Sequence, residues 1–234
     1  MKKYILAAAL LISGTCGFAQ NVNRLIKQKN VERIIKTLSA DDMQGRATFT
    51  PGIEKAAQFI EHEYKKIGLQ PMAGNTGYRQ NFSMFHITPL KTQVNINGQG
   101  VPSDHVFAYG STSFNWSNSA DVEVIKETSD KNFRTDYRSF LGGDKKLLVL
   151  VDPSFTSLFN AIKLRLSRGA SVMKVNKNQA VVFVLGNFDS IRSFEVSYEA
   201  ETKELPLFNI AGIIPGKTKP DEYVDFSGHY DYLG

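Results

Sequence analysis

The chain has 234 residues, of which 42% are apolar and 22% charged, a composition that suits one large globular domain or two small ones. No long segment is low in complexity and no sequence repeats with a fixed period, which argues against solenoids and propellers. The 28 basic and 23 acidic residues give a net charge of +5. Because the basic residues are scattered among acidic ones and form no concentrated stripe, we expect no nucleic-acid partner.

The first nineteen residues, 1–19, predict a secretory signal peptide. Lys2 and Lys3 precede an apolar run over residues 5–12, and small residues lead to a cleavage position after Ala19. The run is too short to span a bilayer, and no later segment is long and apolar enough. We therefore expect an exported protein, periplasmic or extracellular, without a membrane span. Cys16 leaves a lipoprotein signal open as an alternative.

Cys16 is also the only cysteine in the sequence. If it is removed with the signal peptide, the mature chain has no disulfide, no thiolate ligand and no cysteine nucleophile. Any transition metal must then be bound by His, Asp or Glu side chains.

Two helices are predicted near the N-terminus. The first covers residues 22–38, where apolar residues recur at helical spacing. The second begins after Thr50, a possible cap, with Pro51 in the first helical position, and Gly68 predicts its end. Its apolar face consists of Ile53, Ala56, Ala57, Ile60, Tyr64 and Ile67.

Strand patterns dominate the rest of the chain. Residues 78–85 alternate, and residues 92–96 lead into Asn97-Gly98, a hairpin turn signal. The remaining segments are predicted from alternation or from short apolar runs: strands at 121–125, 147–151, 180–185, 194–198, 208–214 and 223–227, and a helix at 157–168. Residues 91–203 therefore form a strand-rich unit that contains one clear helix, and the fold class is α/β.

The last predicted strand, 223–227, leads directly to His229 and Asp231. Catalytic groups commonly follow strand ends in α/β sheets. A carboxylate that accepts a hydrogen bond from one imidazole nitrogen fixes the tautomer for metal binding at the other nitrogen. A His-x-Asp pair alone is weak evidence, because such pairs also occur in solvated tails. His62 lies between Glu61 and Glu63 on the second predicted helix, where we expect it to be solvated. His86 and His105 lack ligand-like spacing, and no G-x-S-x-G nucleophile motif is present.

Two blocks of sequence strengthen the metal hypothesis. Residues 38–69 contain LSADDMQGR and a helix that ends in KKIGL, and Gln80-Asn81-Phe82 follows. Residues 208–234 read FNIAGIIPGKTKPDEYVDFSGHYDYLG. In this order the blocks resemble the secreted di-zinc aminopeptidase family, which is related to glutaminyl cyclases. The unit between them is similar to the protease-associated domain that is often inserted there.

This resemblance implies a mixed-sheet α/β peptidase domain that binds two zinc ions. It implies that His229 is a zinc ligand and that Asp231 orients this histidine without binding zinc itself. The further ligands and the general base of the family lie downstream of the matched block. One imidazole does not hold zinc at useful affinity, since such sites supply three or four protein ligands. We therefore expect a metallo-aminopeptidase acting on peptide or protein substrates, but an inactive 234-residue chain.

The expected organisation is a signal peptide (1–19), the N-terminal part of the peptidase domain (20–90), a protease-associated-like insert (91–203) and the truncated start of the catalytic core (204–234). Three residues depart from the family pattern: Phe49 replaces a usual Gly, Gly228 an Ala and Tyr232 a second His. Two alternatives remain open. One is a non-catalytic, secreted protein- or peptide-binding module of the protease-associated type, and the other is a resemblance of fold alone.

Overall fold

The structure is a computed structural model that describes residues 26–118 and 121–233. The predicted signal peptide, residues 1–19, lies outside the described residues. The chain divides into two compact units. Unit 1 comprises Met1–Gln70 and Ile214–Gly234, and unit 2 comprises Pro71–Ile213. Both units contain helices and unit 2 contains two β-sheets, so the predicted α/β class is confirmed.

The elements follow one another in a simple order. Four α-helices lie in the described part of the chain: α1 (Gln28–Leu38), α2 (Pro51–Ile67), α3 (Phe133–Gly142) and α4 (Thr156–Ser167). Short 3₁₀ segments cover Asp41–Arg46, Ser103–His105 and Pro153–Phe155. The strands are β1 (Arg79–Ile96), β2 (Gln99–Gly100), β3 (Val106–Gly110), β4 (Phe114–Ser117), β5 (Val122–Glu127), β6 (Lys146–Val151), β7 (Ala170–Val172), β8 (Ala180–Leu185) and β9 (Phe194–Ile210). No helix among the described residues is long and apolar enough to cross a membrane.

Helix α2 follows the sequence prediction closely. Pro51 begins it, because the first helical position needs no amide hydrogen. Gly68 ends it with φ 83°, in the left-handed region that glycine occupies without strain. Thr50 does not cap the helix with its side chain. Its hydroxyl donates instead to the Ala47 carbonyl at 2.6 Å, which closes the preceding turn.

The apolar face of α2 is buried only near its N-terminus. Ala56 and Ala57 are fully buried, whereas Ile67 is exposed. The predicted apolar stripe of α1 is also partly exposed, at Val31 and Ile35. An ion pair joins the two helices: both terminal nitrogens of the Arg33 guanidinium donate to the Glu63 carboxylate.

The first sheet of unit 2 is antiparallel and is built on two long strands. Its order is β2-β1-β9-β4, and β7 also pairs with β1. The pairing of β1 with β9 runs from Arg79 opposite Ile210 to Ile96 opposite Phe194, with one irregularity at Pro89 and Lys91. The predicted strands 78–85 and 92–96 are therefore one continuous strand. The predicted boundaries of the protease-associated-like insert, at 90/91 and 203/204, lie inside β1 and β9.

The second sheet of unit 2 has the order β3-β8-β6-β5. Strands β5, β6 and β8 are parallel, and β3 is antiparallel to β8. The apolar runs of β6 and β8 are buried, as their lack of alternation predicts for strands covered on both faces. One face of this sheet packs with Trp116 and Tyr198 from the first sheet, and the other packs with Phe133 of α3 and Phe159 of α4.

Candidate metal-ligating site

The segment that carries His229 and Asp231 has no regular secondary structure. The prediction of a strand at 223–227 is therefore wrong. A strand requires a hydrogen-bonded partner, and none of the described strands pairs with this segment. Its apolar side chains are exposed, with Val224 at 81% and Phe226 at 92%.

His229 and Asp231 nevertheless lie side by side. The His229 Nδ1 atom is 3.2 Å from the Asp231 Oδ1 atom. The imidazole is 93% exposed and the carboxylate 45% exposed. With a proton on Nδ1, the ring donates to the carboxylate and keeps the Nε2 lone pair free for a metal. This arrangement would leave the Nε2 atom of His229 available to a metal.

Arg46 contacts the chain on both sides of Asp231. Its Nε atom donates to the Tyr230 carbonyl at 2.8 Å, and its own carbonyl accepts from the Tyr232 amide at 3.1 Å. A terminal guanidinium nitrogen of the same side chain donates to the Leu38 carbonyl at the end of α1. These hydrogen bonds connect the His-x-Asp segment to Gly45-Arg46, the end of the LSADDMQGR stretch. No local sequence pattern indicates this connection.

The backbone that carries Arg46 is unusual. Gln44, Gly45 and Arg46 have φ values of 49°, 69° and 60°, so three consecutive residues lie in the left-handed region. Residues other than glycine rarely occupy this region, and isolated cases often occur at functional sites. Among the described residues, Phe49 is a further non-glycine example, with φ 65°. It stands at the position where the resembled family usually has glycine.

The other histidines are not part of this arrangement. The Nδ1 atom of His86 lies 3.1 Å from the Ser171 hydroxyl, between strands β1 and β7. The Nε2 atom of His105 lies 3.9 Å from Asp104. His62 lies on α2. None of the described residues form a group of three or more His, Cys, Asp or Glu side chains that could hold a metal ion.

The donor set therefore fits one part of a zinc site. Within residues 26–118 and 121–233, His229 would supply one imidazole and Asp231 the carboxylate beside it. Structural and catalytic zinc sites use three or four protein ligands. No hydrolytic step through zinc is therefore assigned to these residues.

Unit 2 contains a separate cleft of about 320 Å³ between the irregular part of β1, strand β3 and helix α4. Leu90, Val106 and Leu166 form part of its apolar wall. Lys163 lies at its edge and donates to the Ser103 carbonyl. Burial lowers the pKa of the Lys163 ammonium, partly opposed by Asp104.

A scan against protein-family models and a search of curated proteins found no match to this chain. Among solved structures, the chain is similar to the crystal structure of a peptidase M28 precursor from Shewanella amazonensis SB2B, at 12% identity and a TM-score of 0.27. The match covers 87% of this chain and 57% of that structure. The chain therefore spans little more than half the length of the matched protein, and the low TM-score establishes neither a shared fold nor a shared activity.

Proposed function

We propose that this chain is part of an exported, zinc-dependent metallo-aminopeptidase, which hydrolyses the N-terminal peptide bond of peptide or protein substrates. The observation that carries the proposal is the distance of 3.2 Å between His229 Nδ1 and Asp231 Oδ1. Both residues lie in a sequence block that resembles the His-x-Asp element of di-zinc aminopeptidases. An exposed imidazole with an oriented tautomer is suited to metal binding.

In this proposal His229 binds one of the two zinc ions of the complete centre through Nε2. Asp231 holds the Nδ1 proton and fixes the ring orientation. Bound zinc would lower the pKa of a water molecule and polarise the scissile carbonyl. The 234-residue chain alone is expected to be inactive, because one imidazole does not complete the metal centre.

The domain assignment is part of the proposal. Residues 20–90 and 204–234 belong to the peptidase domain, and residues 91–203 form a protease-associated-like insert. One compact unit of the chain does interrupt the other, but the interruption runs from Pro71 to Ile213, beyond residues 91–203 on both sides. Export rests on the sequence pattern of residues 1–19.

The test uses hydrolysis of an aminoacyl-p-nitroanilide in the presence of zinc. We expect the natural protein that contains this chain to show zinc-dependent turnover, and His229→Gln to lower kcat/KM by at least about 100-fold through loss of a ligand. His62→Gln is the matched control, since His62 lies on α2 outside the site. Zinc-dependent turnover by the 234-residue chain alone would overturn the expectation that it is inactive.

The alternative function is a non-catalytic module that binds proteins or peptides. The cleft beside Lys163 favours it, because an apolar wall next to an ammonium group suits a peptide with an apolar residue and a carboxylate. Hydrogen exchange of the whole chain with and without such a peptide tests it. Protection confined to β3 and α4 would support a binding module, whereas an unchanged exchange pattern would exclude this cleft.

A further inference from the structure

We infer that Arg46 is the positioning residue of the His229–Asp231 pair. The metal-related part of this inference rests on the function proposed above, but the placement of the segment does not. Arg46 donates to the carbonyl of Tyr230, the residue between His229 and Asp231, at 2.8 Å. Its carbonyl accepts from the Tyr232 amide at 3.1 Å. Asp231 is thus held by a hydrogen bond on each side.

A guanidinium group suits the two side-chain contacts of Arg46, because its donors reach two carbonyl acceptors at once. The Nε atom reaches Tyr230, while a terminal nitrogen reaches the Leu38 carbonyl at the end of α1. Arginine presents its five N–H donors in a rigid planar fork, whereas lysine has one ammonium on a flexible chain. A lysine at this position could serve one carbonyl but could not connect both.

The contacts also explain why the segment can orient a histidine without belonging to a sheet. None of the described strands pairs with residues 223–233. The hydrogen bond that Arg46 donates to Tyr230 and the one that it accepts from Tyr232 restrict the backbone around Asp231, and the Asp231 carboxylate then restricts the His229 ring. The left-handed conformation of Arg46, φ 60°, is the backbone geometry in which its side chain and its carbonyl make these contacts.

The test measures two properties of the 234-residue chain that do not require zinc. The first is hydrogen exchange at the Tyr232 amide, which donates to the Arg46 backbone carbonyl. Substitution of Arg46 keeps this carbonyl, so faster exchange reports that the segment is released when the side-chain bond to Tyr230 is lost. The second is the tautomer of neutral His229, read from the ring ¹⁵N shifts. We expect Arg46→Ala and Arg46→Lys each to speed Tyr232 exchange by about tenfold or more, as expected for loss of hydrogen bonds from a charged group. Both should lower the fraction of His229 that carries its proton on Nδ1.

Arg138→Ala is the matched control, because Arg138 lies on α3 in unit 2 and its side chain contacts Tyr137. It should change neither property. If Arg46→Ala fails to fold, a second pair of variants removes the contact from the other side. Tyr232→Pro deletes the amide that donates to Arg46, whereas Tyr232→Ala keeps it. Only the proline variant should shift the His229 tautomer.

Two results would overturn the inference. Unchanged Tyr232 exchange in both Arg46 variants would mean that Arg46 does not hold the segment. Faster exchange with an unchanged His229 tautomer would mean that Arg46 anchors the chain without positioning the histidine. Failure of the aminopeptidase proposal would show separately, as absence of zinc-dependent turnover while both Arg46 effects persist.

Discussion

Gly52, in the first turn of α2, lies directly against the Met43 carbonyl of the preceding 3₁₀ segment. A Cβ atom at Gly52 would be 1.9 Å from the Met43 oxygen and 2.8 Å from its carbon. Neither atom belongs to a flexible side chain, so the clash could be relieved only by a backbone shift. Since the same 3₁₀ segment ends at Arg46, this contact fixes the position of α2 relative to the residue that holds the His-x-Asp segment.

Gly52→Ala should therefore destabilise unit 1 by about 2–3 kcal/mol, the upper range for inserting a methyl group into a packed site. Hydrogen exchange at the α2 amides measures this change. Gly228→Ala is the matched control in the same unit, because no atom of the described residues lies within 4 Å of its added Cβ, and it should leave exchange unchanged. Equal exchange in the two variants would show that the Met43 contact does not constrain α2.

Phe49 carries backbone strain that glycine would relieve. Its φ is 65°, and its side chain is about half exposed. A left-handed conformation costs a non-glycine residue roughly 1–2 kcal/mol, part of which is offset by the extra freedom of glycine in the unfolded chain. Phe49→Gly should thus stabilise unit 1 by about 0.5–1 kcal/mol, seen as slower exchange at the α2 amides. Phe49→Ala keeps the strain, and an equal gain in that variant would refute the explanation.

The sequence predicted local features well. The start of α2 at Pro51 and its end at Gly68 follow from the backbone preferences of single residues, and the structure confirms both. The buried strands β6 and β8 follow from uninterrupted apolar runs. Helix α3 was missed, although Phe133 and Tyr137 are buried at helical spacing, because its polar residues weaken the periodic signal.

Contacts between distant segments could not be predicted in the same way. Arg46 and Tyr230 are separated by 184 positions, and neither local pattern indicates the other. Residues 223–227 alternate like a strand, but they lack a pairing partner among the described strands and form none. Periodicity reports which face of an element suits burial, whereas the existence of a strand depends on a second strand beside it.

Asn97 joins the β1–β2 turn to the loop before β9. Its side-chain oxygen accepts from the Arg192 amide at 2.7 Å and the Ser193 amide at 3.2 Å, and its side-chain nitrogen donates to the Ser190 carbonyl at 2.9 Å. Asn97 also has φ 52°, as the predicted Asn-Gly hairpin turn requires.

Asn97→Gly removes the side-chain hydrogen bonds and keeps the backbone conformation accessible. It should lower the free energy of unfolding of unit 2 by about 1–2 kcal/mol. Asn97→Ala adds backbone strain, so its loss should be larger by about 1 kcal/mol. Trp116 is the only tryptophan and is buried in unit 2, so its fluorescence during urea unfolding measures both effects. Equal losses in the two variants would show that the left-handed backbone contributes nothing.

Glu127, at the end of β5, is a carboxylate buried without full hydrogen bonding. Its side chain is 2% exposed and its Oε2 atom has no hydrogen-bond partner among the described residues. Burial raises the pKa of Glu127; the Lys131 ammonium, 3.7 Å from Oε1, opposes the rise, and nearby Asp136 adds to it. The folded state therefore binds the Glu127 proton more tightly than the unfolded state does.

A raised folded-state pKa stabilises the fold below the ordinary pKa of glutamate, and this contribution is lost as pH rises through the folded-state value. Glu127→Gln removes the ionisation. We expect the unfolding free energy of the variant, relative to wild type, to increase as pH rises from about 4 to 8. Trp116 fluorescence during urea unfolding at each pH measures this free energy. Glu123→Gln is the control and should show no such increase. Glu123 lies on the same strand, but its side chain is exposed and forms an ion pair with Lys145. A Glu127→Gln profile parallel to wild type would mean that the carboxylate is ionised in the folded state at no cost.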